Sequence, residues 1–259
     1  MDIYDDPAAY ELSCGFREVP EEVDRLIAWS REYGREPGTV LELAAGPAEH
    51  AREFARRGIA ATALDLSPAM CAYAKTMGPD LAVVQADMTT FRLGTRFDLI
   101  VTMLDSTAHL HGLDPMVAHF QRAAAHLAAG AVYILEMSHP KDRFGTEPST
   151  GTTWTVEKDG LRADVRWGSL DDALDPLTQI VDDQVVITVT EPSERPGGPA
   201  RTRVVEGVVP YRFWTATELE AAVRLSGTLE IVAQYGDFGD LPPSAPEAWR
   251  LITVLRKPA

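Results

Sequence analysis

The chain has 259 residues, 45% of them apolar, and a formal charge of −15 from 39 acidic and 24 basic side chains. The excess of acid excludes a nucleic-acid backbone as partner, because that binding rests on clustered Lys and Arg. No run is long enough to cross a bilayer, the acidic N-terminus lacks an apolar core of signal-peptide length, and Cys14 and Cys71 show neither metal spacing nor a disulfide framework, which points to a reducing cytoplasm and no metal site.

Met1 to Gly34 reads as two helical pieces. The first, Asp2 to Phe16, sets Tyr4, Tyr10 and Phe16 among acids. The second turns Val23, Leu26 and Ile27 to one face. Tyr10 is the stronger candidate for a place in a site, while Tyr4 serves equally as a packing residue. Thr39 to His50 then reads as a buried strand, a tight turn at Gly46-Pro47 and the start of a helix that ends at Gly58. A strand feeding a helix through a Gly turn leaves free N–H groups at the carboxyl edge of a sheet, where open α/β sheets bind nucleotides. Ile59 to Asp65 is a second strand, and Asp65 follows the Gly turn by about 20 residues, the spacing of a ribose-binding carboxylate; the plainer role is to cap the helix announced by Ser67-Pro68. Leu81 to Asp87 ends a third strand, where Asp87 can accept from an adenine amino group and Met88 can lie against its ring.

Met70, Tyr73, Ala74 and Met77 fall at helical spacing and read mainly as core. Phe97 to Leu104 is a buried strand that runs into a loop holding Asp105, His109 and His111. Asp114-Pro115 caps a helix with Val117, Phe120 and Leu127 inward. Ala131 to Met137 is the next strand, and His139 follows it. Beyond His139 the rhythm changes to antiparallel strands: 154–157 and 161–167 around a hairpin at Asp159-Gly160, then 179–190 and 201–213 across a Pro/Gly-rich loop. The acids Asp171, Asp172, Asp182 and Asp183 read as a solvated face. Thr215 to Glu218 is a capping box that opens a helix, and 228–235 and 249–256 close the sheet.

These stretches resemble the class I S-adenosylmethionine-dependent methyltransferases, most of all small-molecule members that act on amino sugars and glycine. The matching residues are Val-Leu-Glu-Leu-Ala-Ala-Gly-Pro at 40–47, Ala-Leu-Asp-Leu-Ser-Pro-Ala-Met at 63–70, Gln-Ala-Asp-Met at 85–88, Arg-Phe-Asp-Leu-Ile-Val at 96–101 and His-Leu-Ala-Ala-Gly at 126–130. The family usually has Gly where this chain has Ala44 and Ala48. The resemblance implies an α/β fold, a Rossmann-like seven-stranded sheet with helices on both faces, here with an antiparallel β insertion. It implies a helical arm (1–38) over the site, a cofactor-binding domain (39–138 and 214–259) and an insertion (139–213) that forms a substrate or dimer surface. S-adenosylmethionine is the implied cofactor. Tyr10, Glu42, Ala44, Gly46, Asp65 and Leu66 are expected to meet it, with Met70, Asp87, Met88, Met103 and Leu104.

The expected chemistry is methyl transfer to an oxygen or nitrogen of a small metabolite. A base for such a step is sought among His109, His139 and Asp105, since His109 and His139 follow neighbouring strands at the carboxyl edge. His109 serves catalysis or simple substrate binding equally well. His50 and His126 read as structural and His119 as surface. Trp154, Tyr211 and Phe213 are candidates for a substrate wall, beside Trp167 and Trp214. Two other readings stay open: an enzyme that uses the aminocarboxypropyl arm of the same cofactor, and a non-catalytic partner subunit that binds it. The expected partner is a small-molecule acceptor, with no nucleic acid and no membrane, and a homodimer stays open.

Overall fold

A computed structural model describes residues 2–144, 151–169, 171–193 and 198–258. The N-terminal arm is a 3-10 turn at Ile3–Asp5, then α1 (Pro7–Ser13) and α2 (Val19–Tyr33). The expected single first helix is broken at Asp6-Pro7: Asp6 caps α1 through the Ala9 N–H and Pro7 occupies its first position, because proline cannot continue a helix begun before it.

The cofactor-type half follows, strand and helix alternating except between β3 and β4: β1 (Thr39–Leu43), α3 (Glu49–Arg56), β2 (Ala60–Asp65), α4 (Pro68–Met77), β3 (Ala82–Gln85), β4 (Phe97–Thr102), a 3-10 turn (Ser106–His109), α5 (Leu113–His126) and β5 (Leu127–Ser138). Strands β3 and β4 are shorter than expected, and two other boundaries also move. Helix α5 starts before Asp114-Pro115, with Gly112 as its cap residue. Strand β5 takes up Leu127 to Gly130, because Leu127 pairs with Phe97 across an irregularity in the ladder.

A short helix α6 (Lys141–Phe144) leads to β6 (Gly151–Lys158), β7 (Leu161–Gly168), β8 (Ile180–Glu191) and β9 (Arg201–Arg212), which form a separate antiparallel sheet. Asp159 and Gly160, at the β6–β7 turn, both have positive φ (52° and 79°), the conformation whose twist matches a hairpin. Helix α7 (Ala216–Ser226), opened by the Thr215–Glu218 capping box, returns the chain to β10 (Glu230–Tyr235) and β11 (Arg250–Arg256).

The large sheet has the order β10-β11-β5-β4-β1-β2-β3, parallel except for β11, which is antiparallel to both neighbours. Alternate residues divide its faces, as the pleat requires. Leu41, Leu43, Ile100 and Tyr133 pack under α5 and α7 with Phe120 and Leu219. Val40, Leu99, Val101 and Ile134 pack under α2 and α3 with Leu26, Trp29 and Phe54.

The small sheet does not close its own core. Its inner face, Val165, Val185, Ile187 and Val205, packs on Ile3, Ala9 and Leu12 of the arm. The arm therefore lies between the two sheets and touches both. The acids read as a solvated face are divided, Asp182 and Asp183 by the pleat of β8. Asp182 points out, while Asp183 is buried against Arg143 (2.9 Å). Asp172 is buried too, and accepts from the N–H groups of Ser169 and Gln184. Among the described residues no helix is long and apolar enough to cross a membrane.

Candidate active site

A cleft of about 750 Å³ opens at the carboxyl edge of β1, β2, β3 and β4. Strand β1 ends in the turn that forms its floor. Ala44, Gly46 and Ala48 alternate at positive φ (51°, 54° and 61°), so two alanines occupy a conformation that costs an L-residue roughly 1–2 kcal/mol and a glycine almost nothing. The turn keeps its path despite the missing glycines. Asp65, the last residue of β2, holds it: Oδ2 accepts from the Gly46 N–H (2.7 Å) and Oδ1 from the Ser67 N–H (2.8 Å). Burial pushes the Asp65 pKa up, against the pull of those N–H groups. Asp65 thus braces the turn and, with Ser67, opens α4, while its side chain lines the cleft.

Leu66, Met70, Asp87 and Met88 line the same end of the cleft. Met88 is fixed from behind: its carbonyl meets His119 Nδ1 (3.2 Å), His119 Nε2 meets the Tyr133 hydroxyl (2.6 Å), and that hydroxyl donates to Thr102 (2.9 Å). His119 is fully buried and its pKa is pushed down to about 4 by that burial, so the expectation of a surface histidine is corrected. Its period on α5 places it inward beside Phe120, where Tyr133 supplies the polar partner that a buried imidazole needs. His126 is structural as expected, accepting from the Leu93 N–H and donating to the Arg122 carbonyl.

A smaller recess adjoins the cleft under the arm, lined by Tyr10, Glu42, Ala44, Gly46, Met103 and Leu104. Its wall rests on a buried ion cluster. Arg17 pairs with Glu22 (2.5 Å) and Glu136 (2.8 Å), Arg250 with Glu22 (3.2 Å) and Glu136 (3.1 Å), and His50 with Glu22 (2.8 Å) and Glu42 (3.4 Å). Burial opposes the charge on His50, yet Glu22 and Glu42 raise its pKa to about 9. Glu136 Oε2 also accepts from the Leu104 N–H (2.9 Å). That bond holds a strained step, since Leu104 and Asp105 are consecutive residues at positive φ. Nothing local in the sequence announces this cluster, whose members come from the arm, β1, α3, β5 and β11.

The other end of the cleft carries His109, at the end of the 3-10 turn after β4. Its Nε2 lies 3.0 Å from the Tyr4 hydroxyl, which lies 3.2 Å from the Tyr211 hydroxyl. Edge and tilted ring contacts join Tyr4 to Tyr10 (5.4 Å) and His109 to Tyr211 (5.0 Å). The packed rings, helped by the nearby His111, push the His109 pKa down to about 4, so its imidazole is neutral near pH 7. Burial pushes both tyrosines up, and they stay protonated. Tyr4, ranked below Tyr10 from the sequence, is thus the residue that bridges the arm to His109.

Four candidates fall elsewhere. His139 Nε2 donates to the Pro243 carbonyl (2.9 Å) and Nδ1 accepts from the Lys141 N–H (3.1 Å), so both nitrogens are occupied outside the cleft. Asp105 is turned toward Ser138; burial pushes its pKa up to about 7, against the pull of Ser138, and it does not line the cleft. Trp154 donates to the Ser13 carbonyl (2.8 Å) and packs on Phe16 and Trp167. Phe213 lies under the Arg143 guanidinium (4.6 Å). Of the candidate substrate wall only Tyr211 faces the cleft, joined by Val208 and Pro210 of β9.

Residues 40–130 match the family model of a methyltransferase domain. The chain is 30% identical over 146 residues to dTDP-3-amino-3,6-dideoxy-alpha-D-glucopyranose N,N-dimethyltransferase of Streptomyces fradiae, a match covering 54% of this chain and 57% of that one. It is 29% identical over 135 residues to dTDP-3-amino-3,4,6-trideoxy-alpha-D-glucopyranose N,N-dimethyltransferase of Streptomyces venezuelae (52% and 55% covered). Residues 40–130 thus carry the sequence of a methyltransferase domain. The chain spans a little over half the length of these curated relatives. The methyltransferase fold itself extends over nearly the whole chain. The structure of DesVI of Streptomyces venezuelae superposes with a TM-score of 0.75 at 22% identity, covering 96% of this chain and 98% of that one. CalS10 of Micromonospora echinaspora, an amino pentose methyltransferase with S-adenosylmethionine bound, gives 0.71 at 22% identity, covering 95% and 94%.

The donor set fits the family's cofactor. Asp65 offers a carboxylate beside the Gly turn, and Asp87 and Met88 an acceptor and an apolar face. A Cβ on Gly46 would stand 3.9 Å from the Tyr10 ring and 4.0 Å from the Met70 sulfur, so the floor is closely bounded on both sides. Asp65→Ala is expected to weaken binding of S-adenosylhomocysteine roughly 10–100-fold, the worth of a hydrogen bond to a charged group. Calorimetry on the folded variant measures it, and unchanged affinity removes the ribose assignment from Asp65.

Proposed function

We propose that this chain transfers methyl groups from S-adenosylmethionine to the amine of a small, sugar-like acceptor. The observation that carries this reading is one cleft with Asp65 and the Gly46 turn at one end and the His109–Tyr4–Tyr211 array at the other. When bound, the cofactor supplies a methyl group on a sulfonium that is already activated toward a lone pair. Asp65 and Asp87 would hold its ribose and adenine, between Leu66, Met70 and Met88. Tyr10, Glu42, Ala44, Met103 and Leu104 would line its methionine end.

The protein's task is to present a neutral amine in line and to exclude water. Such positioning can supply about 7–11 kcal/mol. His109 is suited to accept the amine's hydrogen bond and to relay the ammonium proton to water before the transfer, since an imidazole with its pKa held low does not keep that proton; Tyr4 and Tyr211 order its ring. The N,N-dimethyltransferases among its relatives support nitrogen over oxygen as the nucleophile. The free thiols of Cys14 and Cys71 support a reducing, cytoplasmic location. Val204, exposed on the edge strand β9, supports a dimer through the insertion.

Product analysis tests the reading. Incubation with S-adenosylmethionine and an amino sugar is expected to yield S-adenosylhomocysteine and an N-methylated sugar. Methylthioadenosine would show that the aminocarboxypropyl arm was used instead. Intact binding without turnover on any amine would favour a partner subunit.

A further inference from the structure

The two relatives with the dTDP prefix in their names set the question of what the acceptor carries besides its amine. We infer that the acceptor of this chain is a free or glycosidically linked amine bearing no phosphate, drawn into the cleft as a cation; the inference rests on the methyl-transfer reading of the cleft. A nucleoside diphosphate brings two to three negative charges, which proteins meet with arginine forks, lysines or a ring of N–H groups. Among the described residues that line this cleft, none is Lys or Arg. The acceptor end instead carries Asp2 and Asp5, both exposed at its rim. The field of Asp2 reaches the ring of His109 and the hydroxyl of Tyr4, so it acts where the amine must arrive. The rest of that end holds Pro115, Val208, Pro210, the uncharged His109 and His111, whose Nε2 lies 3.0 Å from the Pro210 carbonyl, so no permanent cation faces it.

The cations that β9 brings toward this region are already engaged. Arg203 pairs with Asp6 and lies 3.9 Å from Glu191, and Arg212 pairs with Glu218 (2.9 Å). The carboxylates of the arm are tied to their own turn: Asp2 accepts from the Tyr4 N–H (3.1 Å) and Asp5 from the Asp2 N–H (3.2 Å). The chain as a whole, at −15, sets a field that repels an anion and attracts an ammonium ion. An amine enters protonated, is held at the acidic rim, and passes its proton through His109 to water before its lone pair meets the methyl group.

Two substrates with the same reacting amine test this: the methyl glycoside of 3-amino-3,6-dideoxyglucose and its dTDP-linked form. The glycoside is expected to have a kcat/KM about tenfold or more above the nucleotide, and dTDP is expected not to compete at about 1 mM, where a specific site would hold it with more than about 4 kcal/mol. Exchanging both rim acids, Asp2→Asn with Asp5→Asn, is expected to narrow the ratio several-fold. A dTDP-linked sugar that is as good a substrate or better, or competition by dTDP below about 1 mM, overturns the inference. Methylation of neither sugar by protein that binds S-adenosylhomocysteine counts against the methyl-transfer reading, while the dTDP competition for ligand binding still decides the phosphate question.

Discussion

Replacing His109 by Asn is expected to lower turnover at saturating substrate by about 10²–10⁴-fold, the usual worth of a placed proton acceptor, with cofactor affinity unchanged. The asparagine keeps a hydrogen-bonding group near the Tyr4 hydroxyl but removes the basic nitrogen. Wild-type His109, with its pKa held down at about 4, does not gain a proton until the medium is strongly acid. A fall in wild-type rate between pH 8 and 6 therefore reports protonation of the acceptor's amine. In the variant, raising the pH past the acceptor's own pKa is expected to recover much of the rate, because a free amine needs no base to expose its lone pair. A deficit of the same size at every pH would make His109 a positioning group alone. Wild-type turnover across pH would leave the reaction to the geometry of the cleft without any imidazole.

Arg17→Ala is expected to cost about 3–5 kcal/mol of folding stability, because it removes one of the two guanidinium groups that Glu22 and Glu136 share and leaves the buried cluster short of positive charge. That is a large part of the 5–15 kcal/mol that holds a domain together. Arg17→Lys is expected to cost less but not nothing, since one ammonium cannot reproduce a fork that meets two carboxylates. Urea denaturation measures both, and an Arg17→Ala variant within about 1 kcal/mol of the wild type would show that the cluster does not hold the fold.

The cluster also gives stability a pH dependence whose sign is fixed. His50 has a folded pKa of about 9, above its ordinary 6.5, so its contribution is complete below pH 6.5 and is lost as pH rises through 9. Glu22 has a folded pKa of about 2, below its ordinary 4.5: burial raises it, but the His50 hydrogen bond and Arg17 outweigh that. Its contribution is complete above pH 4.5 and is lost as pH falls through 2. Stability from this source peaks between about pH 4.5 and 6.5. The alkaline loss, on the order of 3 kcal/mol, should be much reduced in His50→Gln.

The sequence carried the elements whose signals are local. The Gly46 turn, the Asp159-Gly160 hairpin and the Thr215–Glu218 box each depend on a few adjacent residues, and each stands where its residues say. Asp65 faces the turn because chain spacing alone brings it there. Pairings between distant segments were not legible. His139 and His109 follow neighbouring strands and look equivalent on paper, yet the loop at Pro243 captures one ring while Tyr4 of the arm engages the other. His119 was misplaced because its polarity outweighed its period on α5; its neighbour Phe120 pointed inward, and Tyr133 was the partner that made burial affordable. Asp172 and Asp183 hide in the same way within runs of acids: the pleat of β8 turns Asp183 inward, and Asp172 is drawn in by the N–H groups of Ser169 and Gln184.

The ion cluster beneath the recess joins residues 119 positions apart at Arg17 and Glu136 and 228 apart at Glu22 and Arg250. Its last cation arrives on β11, a strand that must slot between β5 and β10 rather than add to an edge. Chains emerge from the ribosome at about 5–20 residues per second, so Arg17 precedes Arg250 by roughly ten seconds or more. From the synthesis of Glu136 until that of Arg250, Glu22, Glu42 and Glu136 share fewer cations than they have charges, and the middle of the sheet lacks the neighbour that covers β5. The recess is therefore finished late in synthesis, and the growing chain carries an unbalanced acidic pocket until residue 250 docks.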